Sequence, residues 1–451
     1  MRKKDLTQGG IVGNIVGFSL PYMFASLLQS LYGLADLFVI GRYCGVDATT
    51  AVSNGAQVMH FVTVVLIGLA MGPTVRIAYA VGSKNDKMRA VMMGNSITMF
   101  MVLSAVLSVV LLLLTNSIVH LMQTPTEAFA DTARYLSVCF AGIPFMMAYN
   151  VIAAFFRGLG DTRTPMVFVA VACMVNVALD FVLIGAFGMG PFGAAVATVL
   201  SQTISVIFAV VAIKRRSSED FVMHRDDFAL RRSILGNLMK IGVPVALQDG
   251  LIQVSFILIT VIANMRGLDD AAAVGIVEKI IGLLFIVPSA MLATVSAMTA
   301  QNMGAGNMAR AVRTLHYAIC ITVGYGLLCA CVVQLCPEAF VRIFTDNMVV
   351  VAEGAGYLRS YVWDCAIAGV HFCFSGFFTS CGYAMVPFLH NMASIITARV
   401  PLSYLFSVQY PGSLYPMGWA SPIGSVVSDV ICVIAYLIIL RKMERWRERK
   451  L

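Results

Sequence analysis

Asp36, Asn176, Asp180 and Thr198 stand in stretches of chain that are otherwise almost wholly apolar. Asn176 and Asp180 are four residues apart, so a helix puts them on one face, and Thr198 reaches them if its own helix packs alongside. Two carboxylates in a shared, partly desolvated pocket repel one another, and a proton or small cation held between them removes the repulsion. The chemistry expected of Asp36, Asn176, Asp180 and Thr198 is therefore reversible binding of a coupling ion, H+ or Na+, with no covalent step. Asp36 has a second reading, because Arg42 follows closely enough to pair with it at a membrane interface.

The second half of the chain carries different polar residues in comparable stretches: Asp249 and Gln253, Glu278 beside Lys279, Asp364, and Arg399. Together with Gln57, the residues Asp249, Gln253 and Glu278 are candidates for a cavity lining or a second ion site. Glu278 is either such an acid or half of a structural pair with Arg399. Ser53, Asn54, Gln57 and His60 form a helical stripe that faces a neighbouring helix or a cavity. No Cys/His spacing suits a metal centre, and no HExxH, Gly-x-Ser-x-Gly or P-loop pattern occurs. An enzyme is not expected, nor a cofactor, nor a metal other than Na+ at the ion-coupling residues.

Residues of this kind are expensive at bilayer depth, and the surrounding sequence says that bilayer depth is where they lie. The chain is 59% hydrophobic and 12% charged, half the charged share of an ordinary soluble domain. Apolar segments recur near 13–41, 51–73, 91–115, 132–156, 165–187, 191–213, 238–264, 271–300, 312–336, 355–380, 387–408 and 417–440. Each is long enough to cross a membrane as a helix. The expectation is an all-α integral membrane protein of twelve transmembrane helices. The eleven cysteines fall mostly in these spans, as Cys173, Cys365 and Cys432 do, and are expected to pack rather than to form disulfides.

Lys and Arg collect in short cytoplasmic loops. With the N-terminus inside, most of the 31 basic residues fall on the inner side, including Arg2–Lys4, Lys84–Arg89, Lys214–Arg216, Arg231–Arg232 and the tail from Arg441. Both termini are thus expected to be cytoplasmic in a multi-pass protein of the cell (inner) membrane. The first span is expected to stay in the mature chain as a helix, since no small-residue cleavage site stands out. The net charge of +8 is explained by topology and anionic headgroups, so nucleic acid is not an expected partner.

A shift of about 222 residues superimposes the two halves. Gly82-Ser83-Lys84-Asn85 faces Gly304-Ala305-Gly306-Asn307, Arg89-Ala90-Val91 faces Arg310-Ala311-Val312, Phe155–Gly160 faces Phe377–Gly382, and Pro21 faces Pro244. Six spans separate the mates, so the repeats are parallel: two six-helix bundles related by a pseudo-twofold along the membrane normal. The domains are then 1–213, a basic linker 214–237, and 238–451. The acids do not repeat, for Ile259 and Leu402 stand at the mates of Asp36 and Asp180.

These motifs together resemble the multidrug and toxic compound extrusion (MATE) family over essentially the whole chain. The resemblance rests on Pro21 and Asp36 with Gly41, the Gly82–Asn85 and Gln301–Asn307 loops, Arg157-Gly158-Leu159-Gly160-Asp161 with Pro165, Asn176 with Asp180, and Gly190–Ala195 leading to Thr198. It implies a two-lobed bundle of twelve helices that exchanges protons or sodium ions for organic cations and other amphiphiles, without a cofactor. The set Asp36, Asn176, Asp180 and Thr198 is similar to the DinF-type branch, where the matching residues bind the coupling ion and Pro21 marks a helix bend. Asp249 and Asp364 do not fall on the NorM-type pattern. Many Met and aromatic side chains suit flat lipophilic cations, a monomer is the expected functional unit, and the main alternative is a lipid or lipid-linked oligosaccharide flippase of the same superfamily.

Overall fold

The computed structural model describes residues 5–215 and 221–448; the basic residues Arg2–Lys4, Arg216 and Arg449–Lys450 used for orientation lie outside them. Twelve membrane-spanning helices follow one another in chain order. They are α1 (Ile11–Tyr43), α2 (Val46–Gly82), α3 (Asp86–Leu121), α4 (Thr126–Ala141 continued by Ile143–Gly158), α5 (Arg163–Asp180 continued by the π-helical Phe181–Ala186) and α6 (Gly190–Arg215). After the linker come α7 (Arg232–Asn264), α8 (Leu268–Leu284 continued by Ile286–Gly304), α9 (Met308–Leu335), α10 (Met348–Tyr361 continued by Asp364–Ser380), α11 (Met385–Ser394, the π-helical Ile395–Arg399, and Val400–Gln409) and α12 (Ala420–Glu448). Among the described residues no strand occurs.

Length and hydropathy alone qualify nine of these as spans and two more as bent pairs. The remaining one, α11, does not meet that test, although its three segments run on without a break from Met385 to Gln409. The fourth span, expected as one stretch over 132–156, bends by 46° between its halves, and the cause is local. Pro144 opens the second half and has no N–H for the carbonyl of Phe140 four residues back. The Ser108 hydroxyl of α3 donates to that carbonyl instead, at 2.6 Å. In α8 Pro288 likewise frees the Leu284 carbonyl, and the Tyr325 hydroxyl of α9 donates to it at 3.2 Å. Each broken backbone bond is replaced from a neighbouring helix, as the absence of water in hydrocarbon requires. The tenth span, expected over 355–380, bends by 43° just before Asp364.

The internal repeat is visible in turn chemistry. Asn85 caps α3 by accepting from Met88 N–H at 2.8 Å, and Asn307 caps α9 by accepting from Arg310 N–H at 3.1 Å. Ahead of each cap the preceding helix ends in a Schellman turn, closed by Asn85 N–H on the Ala80 carbonyl and by Asn307 N–H on the Asn302 carbonyl. Gly160 and Gly382 end their helices at φ 85° and 86°, a conformation other residues avoid.

The chain divides into two compact units, one of Met1–Asp5 with Leu20–Ala246 and the other of Leu6–Ser19 with Leu247–Leu451. In the first, Phe100, Tyr135, Phe140 and Phe155 anchor a core drawn from α2, α3 and α4. In the second, Tyr357, Tyr361 and Cys365 anchor one cluster. Leu6, Ile15 and Phe18 join Met298, Phe377, Phe378 and Cys432 in another. α1 thus passes from the second unit to the first immediately before Pro21, and α7 passes the other way two residues after Pro244. Each proline removes one backbone hydrogen bond where its helix changes unit. All eleven cysteines are free.

Candidate functional site

In the first unit, α1, α5 and α6 bring Asp36, Asn176, Asp180 and Thr198 together. All four are buried, with 6%, 1%, 0% and 7% of their surface exposed. The Thr198 hydroxyl donates to Asp36 Oδ2 at 3.4 Å, and the side chains of Asp180 and Asn176 border the same carboxylate. Tyr32, one turn before Asp36, and Tyr135 and Cys139 of α4 close the surroundings. The Asp36–Arg42 pair does not form: Asp36 is turned inward, and Arg42 lies exposed at the end of α1.

The polar inventory here is incomplete. Asp36 Oδ1, both carboxylate oxygens of Asp180, and Asn176 Oδ1 and Nδ2 have no hydrogen-bond partner. Buried polar groups are almost always bonded, so a concentration of orphaned oxygens marks a place where something else must sit. Carboxylate, amide and hydroxyl oxygens are the donor set of a hard cation, and a proton shared between the carboxylates would serve equally. The residues present therefore fit H+ or Na+. The local backbone contributes too: α5 widens into a π-turn immediately after Asp180, a distortion that recurs at functional sites.

The other candidates are placed differently. Gln57 is exposed on α2, and the stripe it belongs to makes one bond between helix and loop, Asn54 to the Thr124 hydroxyl at 3.4 Å. Asp249 and Gln253 are one turn apart on α7 and make no hydrogen bond or ion pair among the described residues. Glu278 lies in a second polar cluster, in the second unit. Its Oε1 is buried without a partner, and it neighbours Thr260 and Arg399. Arg399, the last residue of the α11 π-turn, donates to the Tyr361 hydroxyl at 2.8 Å and lies 4.6 Å from the Phe256 ring centroid. It makes no ion pair with Glu278 within 4 Å among the described residues, so the two are electrostatic neighbours rather than a closed salt bridge.

This cluster includes Asp364 and extends to Asp429, His371 and His390, which were not singled out from sequence. Asp364 borders Ser425 and Arg399, and Asp429 of α12 lies within reach of Asp364 and of the His371 backbone. The rings of His371 and His390 are 5.4 Å apart, with His390 Nε2 3.0 Å from the Ser375 hydroxyl. Asp429 was the legible signal, a lone carboxylate in an apolar span preceded by Ser421, Ser425 and Ser428. The histidines gave none. Among the described residues no group of three or more His, Cys, Asp and Glu is arranged to hold a metal ion.

The MatE family pattern matches the chain twice, over residues 21–182 and again over 244–405. The chain belongs to the MatE family. Its two matched stretches are of equal length and begin at Pro21 and Pro244, which states the internal repeat independently of the turns. As a MATE protein it is a multi-pass membrane transporter and not an enzyme. It is 26% identical to the probable multidrug resistance protein YoeA of Bacillus subtilis, over 86% of each chain. To the probable multidrug resistance protein NorM of Thermotoga maritima it is 25% identical, over 96% of this chain and 93% of that one. Among solved structures it resembles a MATE protein crystallised with MaL6, at TM-score 0.91 and 21% identity over 99% of this chain and 100% of that one. An outward-facing MATE transporter of the MOP superfamily is matched at TM-score 0.91 and 21% identity, over 98% of each chain. The shared fold is that of the twelve-helix MATE bundle.

Proposed function

We propose that this MATE protein exports organic cations and amphiphilic drugs by antiport against H+ or Na+, with Asp36, Asn176, Asp180 and Thr198 as the coupling site. The observation that carries the reading is the pair of buried carboxylates with three unbonded oxygens between them. The multidrug resistance proteins to which the chain is similar support the cargo class. When Asp36 and Asp180 take up a proton or Na+, their repulsion ends. α1 then rearranges about Pro21, whose missing N–H makes that turn the weak point of the helix, and cargo is released outside. Loss of the ion restores negative charge that attracts the next cationic molecule.

The protein works in this reading as a monomer in the cell (inner) membrane. Both termini and the 214–237 linker are cytoplasmic, the lobes run over 1–213 and 238–451, and the resemblance of Asp36, Asn176, Asp180 and Thr198 to the DinF-type set supports assignment to the DinF-like branch. Gln57 in the first lobe, and Asp249, Gln253 and Glu278 in the second, are the further candidates for cargo contact or a second ion site. The test is efflux of a fluorescent organic cation from proteoliposomes with proton and sodium gradients imposed separately. Export driven by one gradient, and lost in Asp180→Asn protein that is still inserted and folded, is the expected result. Robust gradient-driven export by Asp180→Asn removes the coupling site from the proposal, and export of nothing over a broad cation panel shifts the cargo to lipid or lipid-linked oligosaccharide.

A further inference from the structure

The first unit holds a second polar feature that ion coupling does not use. Arg157, in the last turn of α4, is 8% exposed. Its Nη2 is buried without a partner, and among the described residues the guanidinium makes no ion pair and no hydrogen bond. The C-terminal end of a helix offsets part of the cost of a cation there. It does not replace the bonds that five N–H groups seek. An arginine left this way inside a fold is rare, because an unpaired buried charge is strongly destabilising.

The guanidinium lines a small recess of about 40 Å³. Around it stand Tyr22 and Gln29 of α1, Tyr149 and Asn150 of α4, and Thr162 at the entrance to α5. Apart from Arg157 the lining carries no charge, and its phenol, hydroxyl and amide groups can donate hydrogen bonds. Gln29 precedes Asp36 by seven residues and Val169, also in the wall, precedes Asn176 by seven. Seven residues are two helical turns, roughly 10 Å of rise. The recess therefore lies on the same faces of α1 and α5 as the carboxylate site, displaced along the helices.

We propose that this recess is a binding site for a small oxyanion, held by the Arg157 guanidinium with neighbouring hydroxyl and amide donors. The ligand chemistry is that of a phosphate group, whether free or carried as a lipid headgroup. A guanidinium fork binds phosphate through paired charged hydrogen bonds, which is the inventory Arg157 lacks. The site is opposite in sign to the Asp36–Asp180 pair and needs no ion gradient, so it stands or falls apart from the efflux reading.

The test uses full-length protein in nanodiscs, with two arms. In one, inorganic phosphate is titrated by calorimetry into protein in phosphatidylcholine nanodiscs. In the other, native mass spectrometry counts phosphatidylglycerol retained from mixed phosphatidylglycerol and phosphatidylcholine nanodiscs. Saturable one-to-one binding in either arm is expected, weakened at least ~10-fold in Arg157→Gln, as the loss of charge-assisted hydrogen bonds implies, and less in Arg157→Lys. Phosphate binding in the first arm identifies a free oxyanion; retention only in the second identifies a headgroup. Tetraphenylphosphonium binding, measured on the same samples, should change less than about 3-fold, because a cation gains nothing from Arg157. Equal binding by parent and Arg157→Gln, or no one-to-one binding in either arm by folded parent protein, overturns the proposal.

Discussion

Gly376 of α10 packs against the backbone of α8 so closely that a methyl group at its Cα would lie 2.4 Å from the Leu292 carbonyl oxygen and 3.2 Å from the Ser296 nitrogen. Both obstacles are backbone atoms of a helix, which cannot rotate away. In Gly376→Ala the helices must part by about 1 Å to restore ordinary contact. One turn on, Ser380 donates to the Ser296 carbonyl at 2.7 Å and lies 3.1 Å from the Ser296 hydroxyl. A 1 Å separation carries both beyond hydrogen-bonding range. Overpacking costs about 1–3 kcal/mol and the lost bonds about 1 kcal/mol more, so the substitution should destabilise the protein by about 2–4 kcal/mol. Gly324, on an exposed face of α9, has nothing within 4 Å of the same added carbon. There alanine should be neutral or stabilising by up to about 1 kcal/mol, the helix propensity difference. Thermal unfolding of the two variants and the parent in one detergent, followed by loss of the monodisperse peak on size exclusion, orders them. The argument from close helix approach is refuted if Gly376→Ala melts with or above Gly324→Ala.

Two further substitutions probe particular bonds. Ser108→Ala leaves the Phe140 carbonyl at the α4 bend without the 2.6 Å donor that replaced its backbone partner, which should cost about 1–3 kcal/mol; a melting temperature equal to the parent's would show that the bend does not depend on it. Arg266, whose side chain is 6% exposed, bonds Asp270 at 2.7 Å and the carbonyls of Ser407, Tyr410 and Pro411 at 2.7, 3.1 and 3.0 Å. Arg266→Ala strands Asp270 and three carbonyls and should destabilise by about 3–5 kcal/mol. Arg266→Lys, with no planar fork, should recover less than half of that; full recovery in the melting assay would mean that charge alone suffices.

The sequence showed the frame in unusual detail because the membrane allows so few solutions. A run of some 20 apolar residues with its backbone unsatisfied by lipid has to be a helix, so the spans were legible, as was the duplication through Asn85 with Asn307 and Gly160 with Gly382. The carboxylate site was legible for the complementary reason, since Asp36 and Asp180 stand out in a solvent that penalises them. The bends were not. Pro144 and Pro288 announce a missing hydrogen bond, but the hydroxyls of Ser108 and Tyr325 that replace it come from other helices, and no local pattern names them. The π-turns after Asp180 and before Val400 leave no mark on composition either.

What the sequence by itself determined is the solvent, the number of helices, their repeat, and which polar residues were out of place, because each is a property of one segment weighed against lipid. Tertiary structure decided which of those residues meet. It gathered Asp36, Asn176, Asp180 and Thr198 from three helices, gave Arg399 to Tyr361 and Phe256 in place of an ion pair with Glu278, drew in Asp429 and two histidines, and left Arg157 unbonded in a recess. Partnership between side chains depends on how helices rotate and approach, and that is set by contacts such as Gly376 on Leu292 that exist only once the bundle has formed.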